Sequence, residues 1–125
     1  MKTIDELKKQ LTTYKFKKKG DIKIHGFRVM MYDSIKKIAK SGMHPACEIK
    51  LNLNSIIEYP NKNPYYLYLD WINAVDYYSI YDINVLLQVE FNVSDIVYGS
   101  QTFRKGDMEF QVQKSKLINF WIYKG

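Results

Sequence analysis

The chain has 125 residues, 46% apolar and 26% charged, with a net charge of +6. That is the size and balance of one globular domain over residues 1–125, and it excludes fibrous and disordered classes. No apolar run is long enough to span a bilayer as a helix, residues 1–6 are too charged for a secretory leader, and the single cysteine, Cys47, excludes an internal disulfide. A cytoplasmic protein with no membrane partner is therefore expected.

The charge is unevenly spread. Residues 1–40 hold twelve basic and four acidic side chains, residues 41–95 two basic and seven acidic, and residues 96–125 five basic and two acidic. Both ends are basic and the middle is acidic. Nearly all the basic residues are lysine; Arg28 and Arg104 are the only arginines. Arginine is the better residue for forked phosphate or guanine contacts. Abundant Lys, Asn, Ile and Tyr also fit translation of an AT-rich genome.

Thr3–Tyr14 reads as an amphipathic helix. Thr3 and Glu6 have capping-box spacing, and Ile4, Leu7, Leu11 and Tyr14 form one stripe. A lysine-rich turn follows, and Ile22–Tyr32 reads as a strand in which Gly26 breaks the alternation and marks a bulge. Asp33–Ser41 has the signature of a short helix, capped by Asp33 or Ser34, with Ile35, Ile38 and Ala39 inward and Gly42 closing it. Ala46–Leu53 alternates as a strand with Cys47, Ile49, Leu51 and Leu53 on one face, and Asn54–Glu58 suits a helical turn.

The richest apolar and aromatic stretch is Tyr59–Val93. Tyr65–Trp71 alternates like a strand, which puts Tyr65, Leu67, Leu69 and Trp71 inward and Tyr66 and Tyr68 outward beside Asp70. Residues 72–83 are ambiguous: Asp70 or Asn73 could cap a helix, whereas Tyr77, Tyr78, Ile80 and Tyr81 favour strand. Val85–Val93 is a strand with its odd-numbered residues on one face. A hairpin over residues 95–113 turns at Arg104–Asp107, and Lys116–Tyr123, apolar on both faces, reads as a final central strand. The expected fold is α+β, an N-terminal amphipathic helix packed on a mostly antiparallel sheet of five to seven strands. The last hairpin and strand faintly resemble the closing strands of the cone-shaped NTF2-like fold; the strand-rich first half departs from that fold's early helices.

The chemistry is sparse. His44 and Cys47 stand three apart, half of a zinc-ligand pair, but His25 is the only other histidine and a closed site needs four ligands. No metal or other cofactor is expected. An enzyme using His25, His44 or Cys47 is one alternative, weakened because Cys47 shares its strand face with core residues, where thiols are inert. Asp70, Asp76 and Asp82 recur every six residues, which gathers them on one face of a strand but not of a helix. A second alternative is a single-strand or nonspecific nucleic-acid-binding module using Lys15, Lys17, Lys18, Lys19, Lys23 and Arg28. The main expectation is a small non-enzymatic binding protein. It docks on a protein or protein–nucleic acid partner through an aromatic and acidic face of Tyr66, Tyr68, Asp70, Tyr77, Tyr78 and Tyr81. Such a compact chain suits a bacterial or phage accessory protein or inhibitor.

Overall fold

The computed structural model describes residues 1–16, 23–41, 48–58, 65–101 and 108–125. Helix α1 is Ile4–Thr13, capped as its sequence requires: the Thr3 hydroxyl accepts from the Glu6 amide at 3.2 Å. Leu7 and Leu11 are buried and Ile4 packs beside them. The strands are β1 (Lys23–Asp33), β2 (Ile38–Lys40), β3 (Glu48–Lys50), β4 (Ile56–Glu58), β5 (Tyr65–Tyr68), β6 (Ile83–Asn92), β7 (Ile96–Gln101), β8 (Met108–Val112) and β9 (Lys114–Lys124). Helix α2, Trp71–Tyr78, lies between β5 and β6. The α+β class is as expected. Seven strands run in the order β4-β9-β6-β1-β5-β8-β7, and β2 and β3 branch from β1. Every pairing is antiparallel.

Both sheet faces are covered. On one face, α1 and α2 enclose Phe27, Val29, Tyr68, Leu86, Trp121 and Tyr123. On the other, Ala39 of β2, Ile49 of β3 and Ile57 of β4 join Met30, Leu67, Val85, Leu87, Val89, Phe91 and Leu117 in a second core. Strand β6 lies inside the sheet and is buried from Asn84 to Phe91: its even-numbered residues are on the helix side, where Leu86 meets the helices, and its odd-numbered ones face the second core. Val93 has left the strand and is exposed.

Two-sided burial explains several departures from the sequence reading. Gly26 is not a bulge: β1 pairs with β6 without interruption from Lys23↔Asn92 to Met31↔Asn84. The apparent phase break is a change in which face carries the large side chains. Glycine is needed there for closeness, since a Cβ on Gly26 would lie 2.9 Å from Leu67 Cδ1 and 3.0 Å from Phe91 Cε1. The bulge is in β9 instead. Gln88 faces Asn119 and Val89 faces Leu117, so Ile118 is the extra residue.

The helix expected at Asp33–Ser41 is a hairpin loop joining β1 to β2. Asp33 Oδ1 accepts from the Ile35 and Lys36 amides, both at 3.0 Å, and the Lys37 amide donates to Asp33 O at 2.7 Å. A carboxylate bonding amides two and three residues on serves an Asx turn as well as a helix cap. Lys37 then turns left-handed, with φ 56°, and Ile35 is 92% exposed, so no inward helical stripe exists. The helical turn expected at Asn54–Glu58 is strand β4, entered through left-handed Asn54 at φ 69°. The strand expected over Ala46–Leu53 is described as Glu48–Lys50 only; Ile49 is buried, Leu51 packs beside it and Leu53 is exposed. Cys47, Gly42 and the Arg104–Asp107 turn lie outside the described residues. Strand β9 stands second from the sheet edge, not at its centre, flanked by β4 at Lys114–Lys116.

The ambiguous stretch resolves as helix. Asp70 caps α2, its Oδ1 accepting from the Ile72 amide at 3.1 Å. Trp71, Ala74, Val75 and Tyr78 then turn one stripe onto the core. Helical spacing of these four outweighs the strand preference of the tyrosines, because the stripe buries against Leu86 and Phe27.

Candidate functional site

The strand reading that put Tyr68 outward beside Tyr66 is corrected by α2. Tyr68 lies beneath the helix, buried, with its hydroxyl 2.7 Å from that of Tyr78 and the two rings 5.4 Å apart. Tyr77 and Tyr81 are half-buried, and Asn84 bonds the backbone of Tyr81 through both its N–H and its C=O. Trp71 is half-buried against the helix-side core, and Leu69, expected inward, is exposed. Tyr66 is exposed as expected. Side chains presented to solvent between β5 and α2 are therefore Tyr66 (39%), Leu69 (43%), Asp70 and Ile72 (39%). Asp70, Asp76 and Asp82 share no face: Asp70 caps α2, Asp76 pairs with Lys8 of α1 at 2.5 Å, and Asp82 follows the helix, its carbonyl accepting from the Gly125 amide.

Of the basic set, Lys15 is exposed just past α1, and Lys17, Lys18 and Lys19 lie outside the described residues. Lys23 opens β1 opposite Asn92. Arg28 is half-buried, with Nη1 donating to the Tyr66 carbonyl at 3.4 Å. Through this contact it braces β5. His44 lies outside the described residues.

A group of which the sequence reading singled out only His25 gathers where the helix-side face runs past the end of α1. His25, Gln88 and Glu90 lie on adjacent strands, with His25 directly opposite Glu90. His25 and Glu90 side chains are each 7% exposed, with Nε2 and Oε2 3.7 Å apart. Gln88 Nε2 lies 3.2 Å from His25 Nδ1, so an amide donating there leaves the ring proton on Nε2, toward Glu90. Across the next pairing, Gln88 faces Asn119 and Glu90 faces Lys116.

The bulge makes this grouping. In an unbroken strand, Lys116 and Asn119, three apart, would point to opposite faces; the extra residue Ile118 brings both onto the helix side. Asn119 Nδ2 donates to the Tyr14 hydroxyl at 2.8 Å. The Tyr14 ring also meets Phe16 and Trp121 edge-on, at 4.8 and 5.5 Å. Tyr14, Asn54, Gln88, Glu90, Lys116, Ile118 and Asn119 line a hollow of about 190 Å³. A smaller hollow of about 120 Å³ shares Glu90 and Lys116 with it and is also lined by Ser115.

Among the described residues no three His, Cys, Asp or Glu side chains are placed to hold a metal ion, and no helix is long and apolar enough to cross a membrane. The only sequence signal for the hollow was the change from Leu86 to Gln88 and Glu90 on one face of β6. By itself that change reads as a solvated face; the bulge and the Tyr14 contact were needed to show otherwise. Comparison with family models, curated proteins and solved structures finds no match to this chain.

Proposed function

We propose that this is a small non-enzymatic binding protein, an accessory protein or inhibitor, that docks on a protein or protein–nucleic acid partner through the junction of β5 and α2. The observation that carries this reading is the exposure of Tyr66, Leu69 and Ile72 around the Asp70 cap. Large apolar and aromatic side chains beside a charge are the composition of an interaction hot spot with a polar rim. The face is smaller than the aromatic count suggested, because Tyr68 and Tyr78 belong to the packing of α2. Its backbone is rigid, since β5 is paired with β8 along its whole length and α2 is seated in the core, so little ordering entropy opposes docking.

The test is affinity capture with the wild-type chain and with a Tyr66→Ala/Ile72→Ala variant, after circular dichroism has confirmed that both fold. Loss of the captured partner in the variant is the expected result. Capture that persists unchanged would remove this face from the interaction.

A further inference from the structure

We propose that the outer edge of β9, over residues 118–122, receives an extended segment of a partner protein, apolar in its middle and acidic at its ends, which adds to the sheet as a further strand. This goes beyond the docking face at β5 and α2 and does not depend on it, because β6 and β1 stand between β9 and β5 in the sheet.

The backbone of β9 makes the edge. One side of the strand pairs with β6 along its length; the outer side is paired only at its two ends among the described residues. At the start, β4 pairs with residues 114–116, and the Leu117 amide and carbonyl bond Ser55 O at 3.0 Å and the Asn54 amide at 2.7 Å. Left-handed Asn54 is where that neighbouring chain joins the edge. At the finish, the Lys124 amide donates to Lys2 O at 2.7 Å. Between them the Phe120 amide also points outward, since it donates to Asn119 Oδ1 at 3.0 Å and not across to β6. Along a strand, alternate residues turn their backbone groups to the same side. Ile122 therefore presents its N–H and C=O outward, and Phe120 its C=O. Such a row of backbone groups is the template on which an extended peptide adds.

Side chains along the edge select the occupant. Phe120 and Ile122 are only partly buried against the second core, and Leu53, next to Asn54, is exposed. Apolar side chains opposite Phe120 and Ile122 on an added strand would cover them. The two ends of the edge are basic. Lys114 is matched by Glu58 at 3.9 Å, but Lys116 and Lys124 have no ion pair among the described residues. Lys116 is half-buried on the helix side and Lys124 exposed at the far end. A second copy of this chain fits poorly: antiparallel pairing centred on Phe120 would set Lys116 opposite Lys124, and like charges directly opposite are destabilising. Acidic residues flanking an apolar middle complement both lysines. The open stretch takes about five residues, the ordinary length of a strand.

The experiment is an NMR titration of the isotope-labelled full chain with the end-blocked peptide Glu-Glu-Val-Thr-Val-Glu-Glu, following the shift and hydrogen exchange of the Ile122 amide. Controls are the same peptide N-methylated at both valines and the analogue Lys-Lys-Val-Thr-Val-Lys-Lys. In the free protein the Ile122 amide is expected to exchange faster than those of Trp121 and Tyr123, which face β6. At saturation the acidic peptide should slow it about tenfold. Both controls should bind about tenfold more weakly, the first for want of donors and the second through charge. Lys116→Gln/Lys124→Gln should weaken the acidic peptide about three- to tenfold, the loss of two exposed ion pairs. An Ile122 amide already slow in the free monomer would overturn the proposal, because the edge would then be covered. So would an acidic peptide that leaves Ile122 unmoved, or a lysine peptide that binds equally well. A dimer in sedimentation whose formation protects Ile122 would overturn it in favour of a second copy. These readings are made on the wild-type chain and stand even where the variant fails to fold.

Discussion

Two halves of the same sheet face differ sharply, although the same strands build them. Under the helices, Leu86, Phe27, Val29, Trp121 and Tyr123 form a continuous apolar floor beneath Leu7, Leu11, Ala74 and Val75. Farther along the same face, β1, β6 and β9 place His25, Gln88, Glu90, Lys116 and Asn119. Nothing in the backbone of β6 changes between Leu86 and Gln88. What changes is the cover: α1 ends at Thr13, and among the described residues it is Tyr14 and Phe16 that follow it over the face beyond. A floor that meets a helix must be apolar to gain from burial; one left partly open must satisfy polar groups by hydrogen bonds. The first half supports the fold, and the second has the character of a site.

Mutations can break this contrast. The largest expected effect is in the apolar half. Leu86 is fully buried between the helices and the sheet, and Leu86→Ala should cost about 2–5 kcal/mol in urea denaturation. A loss below about 1 kcal/mol would mean the helices do not depend on that floor. Next comes Gly26, on the opposite face behind the polar half. Its added Cβ would crowd Leu67 and Phe91, so Gly26→Ala should destabilise by about 1–3 kcal/mol. An unchanged melting temperature would show that the second core is looser there than its contacts imply.

Alkaline titration sharpens the contrast from the apolar side. Burial pushes the Tyr123 phenol from 10.0 up to about 12, despite its hydrogen bond with Ser79. The folded state therefore favours the protonated phenol. Its contribution to stability is fully present below pH 10 and is lost as pH rises toward about 12. Tyr123→Phe should flatten the fall in melting temperature across that window. An unaltered slope would assign the alkaline transition to other groups. A parallel acid effect belongs to the β1–β2 hairpin. Amides of Lys36 and Ile35, with the Lys40 ammonium, hold the Asp33 carboxyl at about 2, below its ordinary 3.8. Its contribution is present above pH 3.8 and is lost as pH falls through about 2. Asp33→Asn should reduce the acid slope of melting temperature.

The smallest expected effect is the most informative. Replacing His25 and Glu90 together by leucine removes both members of the buried pair, and Gln88 loses its contact with His25. Such exchanges are commonly neutral or stabilising. The double variant should therefore melt within a few degrees of wild type, or above it. A large loss of stability would make the pair a structural element and would undo the division into a supporting half and a site.

Local rules read from the sequence succeeded where one residue's chemistry settles the backbone. The Thr3 cap and the Leu7–Leu11 stripe define α1 without help from the rest of the chain. The long apolar runs of β6 and β9 also read correctly as strands. Local rules failed where one signal serves two structures. Asp33 bonds the amides two and three residues on, in a hairpin loop as in a helix cap. Tyr65–Trp71 has strand-like alternation, yet the chain turns into α2 at Asp70. Tyr68 looked like a surface tyrosine because alternation on one strand cannot tell that a helix will be laid over it.

The amino-acid sequence by itself determined the α+β class, the capped first helix, the strand character of β6 and β9 and the separation of basic ends from an acidic middle. These depend on residues a few positions apart, whose effects on φ, ψ and amphipathicity act within a turn or a strand. Tertiary structure alone decided which face of β1 is which, that Tyr68 is covered while Tyr66 is not, and that Lys116, Asn119, Glu90, Gln88 and His25 meet around one hollow. Those outcomes depend on register between strands far apart in the chain. In β9 they depend on one extra residue, Ile118, which shifts the alternation and so chooses the face on which Lys116 and Asn119 stand.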